Sequence, residues 1–200
     1  MNDKSIENHP LQPFLPKHTK LLMLGSFPPQ QKRWCIHFYY PNFNNDMWRI
    51  LGILFFNNKM QFVDQKNKTF YKEEIIEFLN SEGIGIYDTA TSIRRLQDNA
   101  SDKFLEVVEP TDIKRLLDQI PECQAIITTG EKATSTLQEQ LDIDQAPKIG
   151  EFVSFTYNTR NLRLYRMPSS SRAYPLKVEK KAELYRIAYQ EYYKLKNTDL

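Results

Sequence analysis

Three short apolar runs alternate with helical patterns along this chain of 200 residues. The runs are Leu21–Leu24, Gly83–Asp88 and Gln124–Thr129. Continuous apolar runs of this length are typical of strands that are buried on both faces of a parallel sheet. Helical patterns cover Met47–Phe56, Phe70–Asn80, Thr111–Ile120, Glu131–Leu141 and Val178–Tyr193. Strands that alternate with helices predict an α/β sandwich with a mainly parallel central sheet.

The alternating pattern does not begin at the amino terminus. Residues 1–19 are polar and contain Pro10, Pro13 and Pro16, which predicts an extended N-terminal arm. Residues 20–200 then fit a single α/β domain of ordinary size. Near its end, Glu151–Tyr157 and Asn161–Met167 alternate as strands do and predict a hairpin.

Composition excludes several classes of protein. The two cysteines, Cys35 and Cys123, cannot supply a four-thiolate iron–sulfur cluster or a four-cysteine zinc site. Two of the three histidines, His9 and His18, lie in the arm, only His37 lies beyond it, and neither H-E-x-x-H nor C-x-x-C occurs, so we expect no metal. No apolar run reaches the ~18 residues of a membrane span, so we expect a cytoplasmic protein. Because the net charge is only +2, a nucleic-acid partner would need a local basic patch.

The ends of the predicted strands direct the search for a site, because ligands of open α/β sheets bind beyond the carboxyl ends of the strands. These ends carry Gly25–Ser26, Asp88–Thr89, Thr128–Gly130 and Met167–Ser169. All four are polar or contain glycine. Asp88 is a carboxylate at such an end and is a candidate catalytic residue; a turn or cap acceptor is its alternative role.

The first strand end continues as Gly25-Ser26-Phe27-Pro28-Pro29. Glycine lets another group approach the backbone, and the two prolines hold the chain extended. The segment is neither a nucleotide phosphate loop nor a nucleophile elbow, which makes Ser26 a poor nucleophile candidate. An ordinary turn with a solvated serine remains the alternative.

Two further segments concentrate side chains that suit nucleic acid. His37–Trp48 is rich in aromatic residues, which stack on bases, and in asparagines, which can hydrogen-bond a base edge. Its alternative is a loop that covers the core, with Asn44 or Asn45 capping the next helix. Arg166–Pro175 places serines between two arginines, a pattern that suits phosphates, and its alternative is an ordinary Ser/Pro turn.

Taken in order, LLMLGSFPP, FYYPNFNNDMWRIL, GIGIYD and MPSSSRAY resemble the uracil-DNA glycosylase superfamily. The likeness is closest to its hypoxanthine-DNA (deoxyinosine) glycosylase branch, and it extends from about Leu21 to Tyr193. The resemblance implies a three-layer α/β/α sandwich with a four-stranded parallel sheet. It also implies hydrolysis of the bond between a deaminated base, hypoxanthine or uracil, and its deoxyribose, with no cofactor, after the nucleotide is flipped out of DNA.

The resemblance also implies roles for individual residues. Asn45 matches the asparagine proposed as catalytic in that branch. The Gly25–Pro29 turn would hold water and the base, Tyr40 or its neighbour Tyr39 would lie under the base, and the Pro168–Ser171 loop would contact DNA. With Asp88, the candidates are catalytic Asn45, Ser26 and Asp88; base-binding Gly25, Phe27, Pro28, Tyr39 and Tyr40; and DNA-binding Pro168, Ser169, Ser170, Ser171 and Arg172. Lys32 and Arg33 would add to a basic rim.

Two positions depart from the wider superfamily. Ser26 stands where many members have Asp or Asn, and Met167 stands where many have His. The same differences occur in the hypoxanthine branch. The expected partner is damaged duplex DNA, or single-stranded DNA, bound by a monomer. Two alternatives stay open: a non-catalytic nucleic-acid-binding module with this fold, and an α/β enzyme whose Ser169–Ser171 and Arg172 hold the phosphate of a small metabolite.

Overall fold

The computed structural model describes residues 5–97, 104–141 and 143–196. The strands are β1 (Ile6–Asn8), β2 (Leu21–Gly25), β3 (Val63–Asp64), β4 (Thr69–Phe70), β5 (Ile84–Asp88), β6 (Ala90–Arg95), β7 (Leu105–Pro110), β8 (Ala125–Thr129), β9 (Phe152–Tyr157) and β10 (Arg160–Met167). The helices are α1 (Met47–Phe56), α2 (Lys72–Glu82), α3 (Ile113–Gln119), α4 (Glu131–Leu141) and α5 (Val178–Tyr189). The three apolar runs of the sequence form β2, β5 and β8.

The central sheet has five strands in the order β5-β2-β8-β10-β9. The prediction of four strands was therefore wrong by one. The first four strands in this order are parallel to one another, as expected, and β9 pairs with β10 in the antiparallel sense. The extra strand arises because the two-residue turn Asn158–Thr159 returns the chain directly alongside β9. Asn158 accepts the positive φ of 53° that this turn requires.

Helices contact both faces of this sheet. Tyr189 of α5 donates a hydrogen bond to Sδ of Met23 at 2.6 Å, and Met23 lies in register with Ile127. The next residue, Thr128, points to the opposite face, since successive side chains of a strand alternate. There it contacts the hydroxyl of Thr134 in α4 at 2.7 Å. Helices α4 and α5 therefore lie on opposite faces of the sheet.

Helix α1 joins α2 and α5 on one face of the sheet. Its Phe55 ring contacts Phe78 of α2 at 4.8 Å and Tyr189 of α5 at 5.7 Å between ring centroids. Nine of the ten residues of α1 are buried. This helix fills the core behind the aromatic loop and so fixes where that loop emerges.

A second, three-stranded antiparallel sheet, in the order β1-β6-β7, was not predicted from the sequence. Its middle strand, β6, is formed by the polar segment that follows Asp88, and residues 98–103 of that segment lie outside the described part of the chain. The sheet encloses a small apolar cluster of Phe27, Ala90, Ile93 and Leu105. It begins with β1 from the N-terminal arm, which pairs with β6. Farther along the arm, Phe14 forms an antiparallel bridge with Ile86 of β5, at the edge of the central sheet.

The carboxyl ends of the parallel strands meet at one edge of the central sheet. Gly25 at the end of β2 is in register with Asp88 at the end of β5. Thr129 at the end of β8 is in register with Met167 at the end of β10. The four strand ends that the sequence pattern singled out are therefore neighbours in space.

Candidate active site

A cleft of about 350 Å³ opens at this edge of the sheet. A cavity of this size suits a small planar ligand. Segments far apart in sequence line it: Gly25–Pro29, Arg33, Tyr39–Asn42, Asn44, Asn45, Asp88, Arg95, Thr129 and Ser169–Ala173. Every residue singled out in the sequence as catalytic, base-binding or DNA-binding is in this lining except Pro168. Pro168 lies behind it, where its carbonyl oxygen accepts a hydrogen bond from the Tyr185 hydroxyl at 2.8 Å.

Gly25 is required by a close approach at the floor of the cleft. A Cβ atom at this position would collide with Oδ1 of Asp88. The absent side chain therefore leaves the space that the Asp88 carboxylate occupies. Ser26, Phe27 and Pro28 follow as buried residues, so the turn forms a firm wall rather than a solvated loop.

Asp88 is the only carboxylate among the described residues that line the cleft. Its side chain is 9% exposed, and its Oδ2 lies 2.9 Å from Nε2 of His9, whose side chain is 2% exposed. Sequence reasoning missed His9 because it was taken as part of a polar arm. The two residues are 79 positions apart, and no local pattern could have paired them.

The two neighbouring tyrosines occupy different environments. Tyr39 is 3% exposed and donates to the carbonyl oxygen of Gln12 at 2.7 Å. Burial, reinforced by the charge of Asp88, raises its pKa well above the usual range, so the hydroxyl stays neutral. Tyr40 is half-buried, and its ring meets Trp48 edge-on at 5.9 Å. Its φ of 45° lies in the left-handed region, which is unusual for an aromatic residue and typical of functional sites.

Asn45 lies immediately before the buried helix α1. Its Oδ1 accepts a hydrogen bond from the backbone N–H of Met47 at 2.9 Å, which orients the amide. Since the oxygen accepts from Met47, the first residue of the helix, the Nδ2 group is the part that can donate to a ligand. The N-cap position of α1 is Asp46, so the cap that the sequence left open for Asn44 or Asn45 is not the one observed.

The aromatic loop and the serine loop are held together by backbone contacts. Asn45 and Ser171 form an antiparallel bridge, and the Asp46 N–H donates to the Ser170 carbonyl oxygen at 2.8 Å. The Arg172 N–H donates to the carbonyl oxygen of Asn44 at 3.2 Å. Two segments more than 120 residues apart in sequence thus form one wall of the cleft.

A buried ion network lies behind this wall. Lys181 of α5 is 0% exposed and donates to Oδ2 of Asp46 at 3.1 Å and to the Ser171 carbonyl oxygen at 2.8 Å. The half-exposed Arg172 donates to the other carboxylate oxygen of Asp46 at 3.0 Å. By residue type, the charged run Glu179-Lys180-Lys181 predicts a solvated helix face, and for Lys181 that prediction is wrong. A buried lysine must have such partners, and here they tie the serine loop to the start of α1.

The charge of the lining is predominantly positive. Arg33, Arg95 and Arg172 line the cleft, against the single carboxylate of Asp88. Arg95 is paired with Glu7 and Arg172 with Asp46, and both of these carboxylates lie outside the lining, so they offset much of the positive charge. Of the two basic residues expected at the rim, Arg33 is in the lining and Lys32 is not.

The position that many relatives of the resembled superfamily fill with histidine is apolar here. Met167 is fully buried at the end of β10 and lies outside the lining of the cleft. It offers no hydrogen-bond donor. The lining of the cleft contains another donor, the oriented amide of Asn45.

Comparison with solved structures identifies the fold. The chain is similar to the solution NMR structure of a "putative Uracil DNA glycosylase" from Methanosarcina acetivorans, with a TM-score of 0.59 and 21% identity. The match covers 94% of this chain and 99% of that one. No protein-family model and no curated protein matches the sequence. The fold of this chain is therefore the α/β fold of that structure.

The described residues contain no group of three or more His, Cys, Asp or Glu side chains placed to hold a metal ion. No helix among residues 5–97, 104–141 and 143–196 combines the length and the apolar composition needed to cross a membrane.

Proposed function

We propose that this protein is a DNA glycosylase that releases a deaminated base, hypoxanthine or uracil, from a nucleotide flipped out of DNA. The observation that carries the proposal is the convergence of four separate segments on one cleft. The glycine turn, the aromatic loop, the strand end at Asp88 and the serine loop are those that resemble the glycosylase superfamily, and all four line it. The shared fold with the Methanosarcina structure supports the same class.

In the proposed mechanism the flipped base enters the cleft and stacks on the ring of Tyr40, which is the more exposed of the two tyrosines. The bond between the sugar carbon and the base nitrogen breaks, and its electron pair leaves with the base. The Nδ2 group of Asn45 donates a hydrogen bond to the anionic base, because its Oδ1 is held by the helix. Stabilising the departing anion lowers the barrier to the rupture of the bond.

Asp88 is the partner for water in this proposal. A carboxylate accepts protons, whereas the neutral amide of Asn45 is a poor base. The water oxygen forms a bond to the sugar carbon, and the water proton passes to Asp88. The negative charge also favours the oxocarbenium-like sugar that forms as the base departs. In this mechanism Asn45 stabilises the leaving base, and Asp88 accepts the water proton and stabilises the oxocarbenium-like sugar.

The serine loop and the arginines serve the DNA backbone. Ser169, Ser170 and Ser171 present hydroxyl and backbone groups beside the half-exposed Arg172, a combination that binds phosphates. Damaged duplex DNA is the proposed partner, single-stranded DNA is a second substrate form to test, and the protein acts as a monomer in the cytoplasm. Flipping costs a few kcal/mol and least at a mispaired base, so a mismatched lesion should react fastest.

Single-turnover base release tests the proposal. Labelled duplexes carry hypoxanthine, uracil, xanthine or thymine opposite each normal base, and alkali-labile breaks report release. We expect release of hypoxanthine or uracil, and a loss of about 100-fold or more in Asn45→Ala, with DNA affinity almost unchanged. Asn58→Ala is the matched control, since Asn58 makes the same type of side-chain bond to the backbone two residues later, outside the cleft.

The same assay distinguishes a glycosylase from a non-catalytic binding module and from a metabolite enzyme. A folded protein that binds DNA with strong salt dependence but releases no base from any of these substrates would be a non-catalytic binding module. A protein whose binding of small phosphates is unaffected by duplex DNA would instead be a metabolite enzyme. Equal losses in Asn45→Ala and Asn58→Ala would assign the effect to stability and remove Asn45 from the mechanism.

A further inference from the structure

The N-terminal arm contributes two side chains that hold charged residues of the cleft. Glu7 and His9 are two positions apart along β1 and its continuation, so their side chains share one face. Glu7 pairs with the Arg95 guanidinium at 3.1 Å, and His9 with the Asp88 carboxylate at 2.9 Å. Arg95 and Asp88 both line the cleft. A segment expected to be a separate extended arm is therefore part of the site.

The imidazole of His9 is held on every side. Its Nδ1 lies 2.9 Å from the Leu11 carbonyl oxygen and 3.1 Å from the Leu11 backbone nitrogen. Its ring packs against Phe27 at 5.2 Å, Tyr87 at 4.7 Å and Tyr39 at 6.2 Å between centroids. A side chain with so little exposure and so many neighbours cannot turn away from its carboxylate partner.

The two oxygens of Asp88 have different surroundings as a result. Oδ2 faces His9, whereas Oδ1 lies over the backbone of Gly25, where a Cβ atom would otherwise stand. Thr129 lies just beyond, and its hydroxyl is 3.8 Å from that same Cβ position. The contact with His9 therefore fixes which oxygen is turned toward the glycine turn and is free to accept a proton from a ligand or water.

The uncharged neighbours make this contact important. Burial raises the pKa of Tyr87 and that of Tyr39 above the ordinary range, and the charge of Asp88 adds to both shifts. These phenols therefore stay neutral and add no negative charge beside Asp88. Arg95, the nearby cation of β6, is engaged by Glu7 and by the Pro28 carbonyl oxygen at 3.2 Å. His9 is thus the side chain that is hydrogen-bonded to this carboxylate within the described residues.

We infer that His9 is a positioning residue for base excision, which holds Asp88 through Oδ2 so that Oδ1 can act on water. The inference rests on the proposed function, because it assigns Asp88 a role in that reaction. It makes the arm a required part of the catalytic unit rather than an appendage. The water proton passes to Oδ1 of Asp88 as the bond from the water oxygen to the sugar carbon forms, and the departing base takes the bonding electrons.

Two substitutions of His9 separate positioning from packing. His9→Leu removes the donor and keeps an apolar side chain among the three rings. His9→Gln places an amide N–H close to the position of Nε2 and can still donate to Asp88. Since a hydrogen bond to a charged group is lost in one variant and kept in the other, we expect a fall on the order of 10–100-fold in single-turnover rate for His9→Leu and substantial rescue by His9→Gln. His18→Leu is the control, because His18 is exposed and pairs with Glu122 away from the cleft.

The experiment records base release at saturating protein, DNA affinity and thermal stability for each variant. Loss of rate in His9→Leu with unchanged DNA affinity, together with rescue by glutamine, would support the inference. An unchanged rate in His9→Leu, or equal losses in the leucine and glutamine variants that follow their stability, would overturn it while the proposed function stands. No release by the unsubstituted protein would overturn both.

Discussion

The pair of adjacent lysines in α5 offers a sharp test of the structure. Lys181 is 0% exposed and donates to Asp46 and to backbone carbonyl oxygens of the serine loop. Lys180 is well exposed and pairs with Glu183, one turn along the same helix. Substituting each lysine with methionine changes the same charge and keeps a similar length. The two variants therefore differ in burial and partners alone.

The expected loss in the free energy of unfolding of Lys181→Met arises because the buried Asp46 carboxylate keeps its charge and loses a partner. Asp46 is 4% exposed, and its Oδ2 would lose its cationic partner. Breaking a buried pair costs about 3–5 kcal/mol, because an uncompensated charge remains. Arg172 still reaches the other carboxylate oxygen, so we expect the lower part of this range, about 3 kcal/mol. For a domain of this size that corresponds to a fall in Tm of roughly 6–12 °C.

Chemical and thermal unfolding of the two variants measures the difference. Lys180→Met should stay within about 0.5 kcal/mol of the parent protein, as exposed ion pairs contribute little. Asp46→Asn combined with Lys181→Met should cost less than the sum of the single substitutions, because the double variant removes both buried charges. If Lys181→Met and Lys180→Met destabilise the protein equally, the buried network behind the serine loop is refuted, and with it our account of how that loop is placed.

Two further predictions concern the floor of the cleft and the core. In Gly25→Ala the new methyl group displaces the carboxylate of Asp88, so we expect a loss of about 1–3 kcal/mol in unfolding experiments and a larger loss in base release than stability explains. An unchanged protein would contradict the close approach. Burial raises the pKa of Tyr185 and Tyr189 well above that of an unfolded chain, which is about 10. Since the unfolded state alone loses these protons first, their contribution is full below pH 10 and falls as the pH rises above it, which urea unfolding between about pH 8 and 11 should show.

The parallel core of the fold could be predicted from the sequence because its strands are apolar on both faces. Leu21–Leu24, for example, needs no partner information to be identified as a buried strand. The hairpin of β9 and β10 was also predicted, because Glu151–Tyr157 and Asn161–Met167 alternate as strands do. The count of four strands came from the family resemblance alone. The sheet that contains β6 is different, since β6 is formed by a segment with many polar residues and its pairing depends on tertiary contacts.

The burial of Lys181 could have been predicted from the helical spacing in the sequence, but the charged composition of its neighbours favoured exposure. Val178, Ala182, Tyr185 and Tyr189 mark the buried face of α5, and Lys181 lies three residues after Val178 and four before Tyr185. That spacing places it on the same face. The run Glu179-Lys180-Lys181 nevertheless favours a solvated surface when it is considered by residue type. Here the helical spacing predicts burial correctly, because the position of a residue along a helix decides which face of the helix it occupies.

The location of the cleft could be predicted because strand ends are local features, whereas its internal support could not. Asp88 was identified from its place at the end of an apolar run, but the histidine that holds it comes from the opposite end of the sequence. The same holds for Asn45, whose neighbour Asp46 is tied to Arg172 and Lys181 more than 120 residues later. Asp88 and the residue next to Asn45 therefore each depend on a buried side chain from a distant segment. Because those side chains fix the geometry, substitutions of His9 or Lys181 should alter activity although neither residue lines the cleft.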